Sequence, residues 1–439
     1  MRISFVHSGP FVDWCRVYML DIKFIKENKN IVKAGAAKKL VEVDIDRLIE
    51  LDDKRLELMK ESEALRAEQN AMNDQIASAT PENRGAMIDD MRAVKEKFQV
   101  KEDELKEVMR EWQDLMVRVP NVPDITVPEG ASDEENVEVR AWGEKTAFDF
   151  TPKDHIELLE LHDMADFERG VKVSGFRGYF MKNEGAQLFF ALWQYFYNYF
   201  IQQGYTPMIV PSLVRKESFY GTGFLPQSEE DLYKVGENEY LAGTAEVATM
   251  GYYMDEVLEK KDLPKKFIAF SPCFRAEAGK HGKDVKGIIR VHEFFKIEQV
   301  ILCEANHQTN VDLHEDITKH VEHLMQTLKL PYHVVVNCGG DLGLGQVKKY
   351  DIEAWMPSQQ KYRETHSSSY FHDFQTRRLN IRYKDDDGKL KYVHSLNNTA
   401  CATSRLPAAI LENYQNADGS ITIPEVLRPY FGKDTITRS

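Results

Sequence analysis

Between residues 44 and 118 apolar side chains return every three or four positions along an otherwise polar chain. Ile45, Leu48, Leu51 and Leu58 open the series, and Leu65, Met72 and Ile76 continue it. After ATPENRG the spacing resumes at Met87, Met91, Val94, Phe98, Leu105, Val108 and Leu115. This spacing gathers the apolar residues on one face of a helix. Leu, Met, Ala, Glu, Lys and Arg dominate the span and favour that backbone, while Pro81 and Gly85 are its only breakers. The pattern predicts two helices of about 30 residues, joined by a polar Pro/Gly turn over ATPENRG into an antiparallel hairpin reaching roughly 45 Å.

The texture then changes. Residues 119–150 hold three prolines and an acidic cluster, which reads as linker. From about Lys153 onward, helical and strand-like runs alternate. GAQLFFALWQYFYNYFIQQG reads as an aromatic-rich helix, and a strand follows it to Pro211. KKFIAFSPCFRAE and LNIRYKDDDGKLKYVHSLN read as β runs, the second a hairpin turning at DDDG. Long alternating strands separated by helices predict an α+β fold, an antiparallel sheet flanked by helices. The expected domains are a helical-hairpin domain at 19–120, a linker at 121–152 and a larger domain at 153–439, with residues 1–18 as an upstream extension.

Composition narrows the functional classes. No window holds the roughly 18 uncharged apolar residues that a membrane helix needs. Asp13 and Arg16 interrupt the apolar residues near the start, so no clean signal-peptide core is present. Cys15, Cys273, Cys303, Cys338 and Cys401 form no CxxC pair, which argues for a reducing, cytoplasmic setting and against a zinc site. A net charge of −14 argues against general coating of nucleic acid but leaves room for a local basic surface.

The chemistry concentrates in residues 274–298, FRAEAGKHGKDVKGIIRVHEFFKIE. An Arg-x-Glu strand, a Gly/Lys loop and a second strand follow one another. On the second strand Arg290, His292, Phe294, Lys296 and Glu298 alternate with residues of the opposite face. Two guanidinium groups, an aromatic ring and carboxylates so placed can hold a triphosphate, a base and an amine together. No GxxxxGK[ST] or GxGxxG run occurs, so the nucleotide site is of another kind.

This segment resembles motif 2 of class II aminoacyl-tRNA synthetases, in its bacterial-type seryl-tRNA synthetase form. The helix and strand ending at Pro211 resemble motif 1, which in the family forms a homodimer interface. SLNNTACATSRLPAAILENYQ, residues 395–415, resembles motif 3, and RETHSSSYFHDFQTRRLNIRY, residues 363–383, the family's ExSSxSNxxDFQxRR segment. The likeness spans residues 19–435, with MLDIKFIKEN at Met19 a familiar opening. It implies a class II fold and ATP-dependent attachment of serine to tRNA(Ser) through a seryl-adenylate, with tRNA(Sec) a further acceptor where it exists.

The resemblance also implies roles. Arg275, Glu364 and Arg405 would be catalytic. ATP would meet Arg275, Glu277, Val291, His292, Phe294, Glu364, Ser367 and Arg405, with Phe294 and Arg405 on opposite faces of adenine. Serine would meet Thr244, Ala245, Glu246, Arg275, Glu298, Asn397 and Thr399, and Glu364 and Ser367 would hold Mg²⁺ on the phosphates. The tRNA partner would lie against the hairpin and the motif 2 loop. Four positions depart from the family pattern: His366 stands where serine is common, Tyr370 for asparagine, Asn398 for glycine and Thr399 for serine. At Asn398 a turn is expected, since asparagine tolerates unusual backbone angles. An amino acid:carrier-protein ligase would lack the hairpin, and an inactive paralogue would have lost Arg275, Glu298, Glu364 or Arg405; all are present.

Overall fold

The computed structural model describes residues 20–278 and 286–438. The upstream extension and most of the motif 2 loop, residues 280–285, lie outside the described residues. By its contacts the chain divides into a smaller unit, residues 20–37 and 41–120, and a larger one, residues 38–40 and 121–438.

In the smaller unit the helical periodicity becomes α1 (Ile45–Ser78) and α2 (Pro81–Met116). With 34 and 36 residues, each helix runs about 50 Å. Ile45, Leu48, Leu51, Leu58, Trp112 and Met116 are buried, whereas Leu65, Met72 and Ile76 are only half-buried. The apolar seam therefore loosens toward the tip. The turn is shorter than expected, because α2 already starts at Pro81 and only Ala79 and Thr80 lie between the helices. Proline is well suited to a first helical position, where its missing N–H would have no partner. Gly85 consequently sits inside α2.

The larger unit contains α3 (Asn183–Gln202), α4 (Ala245–Gly251), α5 (His307–Thr327), α6 (Phe374–Arg378) and α7 (Arg405–Asn413). Its main strands are β1 (Val137–Trp142), β2 (Thr206–Ile209), β3 (Lys265–Phe274), β4 (Glu293–Cys303), β5 (Tyr332–Val336), β6 (Lys348–Met356), β7 (Lys361–His372) and β8 (His394–Ala402). They form one sheet in the order β1-β5-β6-β7-β8-β4-β3-β2. Every pairing is antiparallel except β2 with β3. Leu188, Leu192, Phe196 and Phe200 of α3 pack with Ile317, Val321 and Leu324 of α5 and with Ile297 and Ile301 of β4 in one core. The hairpin expected at DDDG is present, Arg382–Lys384 against Leu390–Tyr392.

One segment corrects the expectation. Residues 137–142 fall in the stretch read as linker, yet they form β1 and pair with β5. The alternation of Val137 and Val139 with Glu138 and Arg140 is a strand pattern that the neighbouring prolines and acidic cluster obscured.

Candidate active site

Two bulges decide which side chains face the site. On β7, Glu364 lies opposite Glu353 and His366 opposite Ile352, so Thr365 is an extra residue. An inserted residue shifts the period-two alternation by one. Glu364 and Ser367, three apart, therefore line the same cavity. On β8 Ala400 is the extra residue: Cys401 opposes Ile297 and Thr399 opposes Glu298. Thr399 and Ala402 accordingly share that cavity.

The same bulges turn two departing residues away. His366 is fully buried, with Nδ1 2.8 Å from Thr365 Oγ1. Burial pushes its imidazole down to about 3, so it is neutral at physiological pH. Asn398 does not form the expected turn. It lies within β8, outside the left-handed region, and its amide donates to the Ile317 carbonyl of α5 at 2.8 Å.

At the other wall β3 ends at Phe274 and β4 begins at Glu293, so Arg275, Glu277, Arg290 and His292 sit just beyond the ladder. Phe294, Lys296 and Glu298 keep the predicted alternation. The Arg275 guanidinium lies 5.2 Å from the centre of the Phe294 ring, a cation–π contact that the Arg405 reading did not anticipate. Glu277 has a left-handed backbone, φ 53°, and its carboxylate accepts from Arg290 Nη1 at 2.6 Å. A strained non-glycine residue of this kind persists where its surroundings fix it.

His292 is not brought into this cavity. Its Nδ1–H donates to the Arg275 carbonyl at 2.8 Å, and its ring lies near Phe176 and Tyr233 in a separate groove. It lies outside the β4 ladder, where the alternation read from sequence no longer applies. It anchors the Arg275 backbone instead. Val291 is buried against Cys273, Phe294 and Ala402 and forms wall.

Glu364 is held ionised by its neighbours. Burial pushes its carboxyl up, but Arg405 and Lys349 outweigh this and hold it at about 2. Its side chain nevertheless stays 39% exposed, open toward a cleft of about 790 Å³ that Arg275, Glu277, Lys349 and Arg405 also line. That volume falls within the usual range for small-molecule sites, roughly 300–1,000 Å³.

Deeper in, Glu298 pairs with Lys296 Nζ at 2.5 Å, both nearly buried. Burial raises the Glu298 carboxyl despite this partner. Glu246, at the start of α4, is buried as well. Burial and then the Glu298 charge push it up to about 7, against the amides of Gln375 and Asn397 and the Lys296 ammonium. Thr244 caps α4 by accepting from the Glu246 N–H at 3.3 Å. Ala245 points elsewhere, into a small apolar cluster with Val210 and Ala269. Lys296 and Thr399 line the cavity, and two buried carboxylates stand next to them, a polar setting for an ammonium and a small hydroxyl.

Comparison with known proteins agrees in both units. Residues 19–123 match the Seryl-tRNA synthetase N-terminal domain, and residues 231–414 match the tRNA synthetase class II core domain (G, H, P, S and T). The Serine--tRNA ligase of Deinococcus radiodurans is 44% identical over 415 residues, covering 94% of this chain and 98% of that protein. The chain belongs to the seryl-tRNA synthetase family. The seryl-tRNA synthetase of Pyrococcus horikoshii, solved in complex with ATP, superposes with a TM-score of 0.87 at 38% identity, covering 96% of this chain and all of that one. The cytoplasmic enzyme of Naegleria fowleri, solved with AMP, reaches 0.84 at 28% identity, with coverage of 96% and 99%.

Within this seryl-tRNA synthetase fold, sequence reasoning missed three contributions: Lys296 as the partner of Glu298, Lys349, and Gln375. Lys296 was within reach, since it shares a strand face with Glu298 two residues on. Gln375 and Lys349 became visible only through contacts distant in sequence.

Proposed function

We propose that the chain activates serine with ATP and transfers it to tRNA(Ser). The observation that carries this reading is a single cleft in which Arg275, Phe294, Glu364, Ser367 and Arg405 lead toward the buried Glu298–Thr399 pair. The relatives named serine–tRNA ligases, matched over nearly the whole chain, support it.

In the first step a serine carboxylate oxygen attacks the α-phosphorus of ATP. A new P–O bond forms, the α–β bond breaks, and pyrophosphate leaves. Arg275, just past β3, meets the α-phosphate, where charge develops and a planar guanidinium donates two hydrogen bonds. Phe294 and Arg405 flank adenine, and Glu277, held by Arg290, reads its edge. Glu246 and Glu298 receive the serine ammonium, and Thr399 meets its hydroxyl. Alanine and glycine are rejected because buried polar groups would be left unpaired. In the second step a terminal ribose hydroxyl of the tRNA attacks the adenylate carbonyl and AMP leaves.

Mg²⁺ fits this arrangement as a companion of ATP. Glu364 is ionised and open to the cleft, and Ser367 shares its face. Among the described residues no cluster of three or more ligating side chains exists, so a cation would take its remaining oxygens from phosphate and water. Bound there, it would neutralise phosphate charge.

The proposal includes a homodimer, since β2 is a sheet edge with Ile209 83% exposed and Phe190 of α3 is 66% exposed. It also assigns the tRNA to the hairpin. Charging of a tRNA(Ser) transcript with labelled serine tests the reading: product sensitive to alkaline hydrolysis supports it, and none refutes it.

A further inference from the structure

Gln375 is buried in α6, distant in sequence from everything it touches. Its Nε2 donates to Glu246 Oε1 at 2.6 Å and approaches the Thr222 carbonyl at 3.5 Å. Its Oε1 accepts from Ser395 Oγ at 2.7 Å, and Ser395 is itself fully buried on β8. A carbonyl can only accept, so the nitrogen of the amide must be the end facing Thr222. The oxygen then faces Ser395, whose hydroxyl must donate. The direction of the relay is thereby set, Ser395 to Gln375 to Glu246.

Every group facing Glu246 bears on its charge. From β4 come Glu298, which repels it, and Lys296, which is already paired with Glu298 at 2.5 Å. From β8 comes the Asn397 amide, and from α6 the Gln375 amide. Behind Glu298 stands Arg275. The closest partners of Glu246 are therefore neutral donors, which suit an ionised acceptor, while its burial opposes ionisation.

We propose that Ser395 and Gln375 form a positioning relay that presents Glu246 as a carboxylate acceptor to the amine of the incoming amino acid. This rests on the serine reading above and names residues that act through Glu246. Donors fixed before binding leave the amine to supply the missing cation, and the amide's orientation aims the carboxylate at it.

The test is amino-acid-dependent ATP–pyrophosphate exchange between about pH 6 and pH 9 with Gln375→Met, which keeps the length but loses the donor. The expected result is a KM for serine raised roughly tenfold at neutral pH, the size of one hydrogen bond to a charged group. The midpoint of its pH dependence moves upward, and the KM for ATP changes less than about twofold. Ser395→Ala, which frees the amide to rotate, shifts the serine terms in the same direction by less, and it decides the matter if Gln375→Met does not fold. Unchanged serine KM and midpoint, or an equal rise in both substrates' KM, overturns the relay. No serine-dependent exchange in the unaltered chain overturns the serine reading itself and the relay with it.

Discussion

Arg405 Nη1 donates to both the side-chain Oε2 and the main-chain carbonyl of Glu364, each at 2.9 Å. This guanidinium thus fixes the direction of the carboxylate into the cleft and, with Lys349, keeps it ionised. Arg405→Ala should cut serine-dependent exchange by about 100-fold or more, the scale for losing a preorganised electrostatic contact. Its melting temperature should barely move, since both side chains keep some exposure at the cleft edge. Exchange kinetics beside a melting curve check this.

Glu246 gives a pH prediction with a definite sign. Its folded-state pKa, about 7, lies above the ordinary value for a glutamate. Such a group contributes stability that is fully present below the unfolded value and is lost as pH rises through about 7. Glu246→Gln should therefore be more stable than the unaltered chain at pH 8, by at most about 3 kcal/mol. The difference should shrink below pH 6, while serine activation is lost at every pH. Denaturant titrations at the two pH values read it.

His366 faces the core rather than the phosphates. His366→Ser should leave the KM for ATP within about twofold, because His366 itself does not line the cleft. It should lower stability by roughly 2 kcal/mol through the cavity it leaves. A large change in ATP KM with normal stability would contradict the orientation given by the β7 bulge.

The hairpin's cations divide into two groups. Arg55 pairs with Asp52, and Lys101 with Glu61, within the hairpin. Arg84, Lys95 and Lys97 are exposed farther out. Replacing these three with alanine should weaken tRNA binding and flatten its salt dependence, with ATP–pyrophosphate exchange unaffected. Filter binding at two salt concentrations measures this.

The hairpin was legible because one helical stripe persists through some seventy residues, long enough for the period to outweigh local exceptions. The side chains that line the cleft were legible by type, because Arg-x-Glu and the FxKxE run are chemically unusual together. Their facing was not. One extra residue at Thr365 and another at Ala400 carry no compositional mark, yet they decide that Ser367 and Thr399 face the cavity while His366 and Asn398 do not. His292 was misplaced for the related reason that the β4 ladder starts one residue after it. Gln375 was hidden because its partners, Thr222, Glu246 and Ser395, meet only in the folded chain.

Serine activation is tested by ATP–pyrophosphate exchange without tRNA, run with each of the twenty amino acids. The buried Glu246, Glu298 and Thr399 pocket predicts exchange with serine alone, and Arg275→Ala should abolish it while the fold persists. Exchange with glycine or alanine at a comparable rate, or with no amino acid at all, would contradict the account.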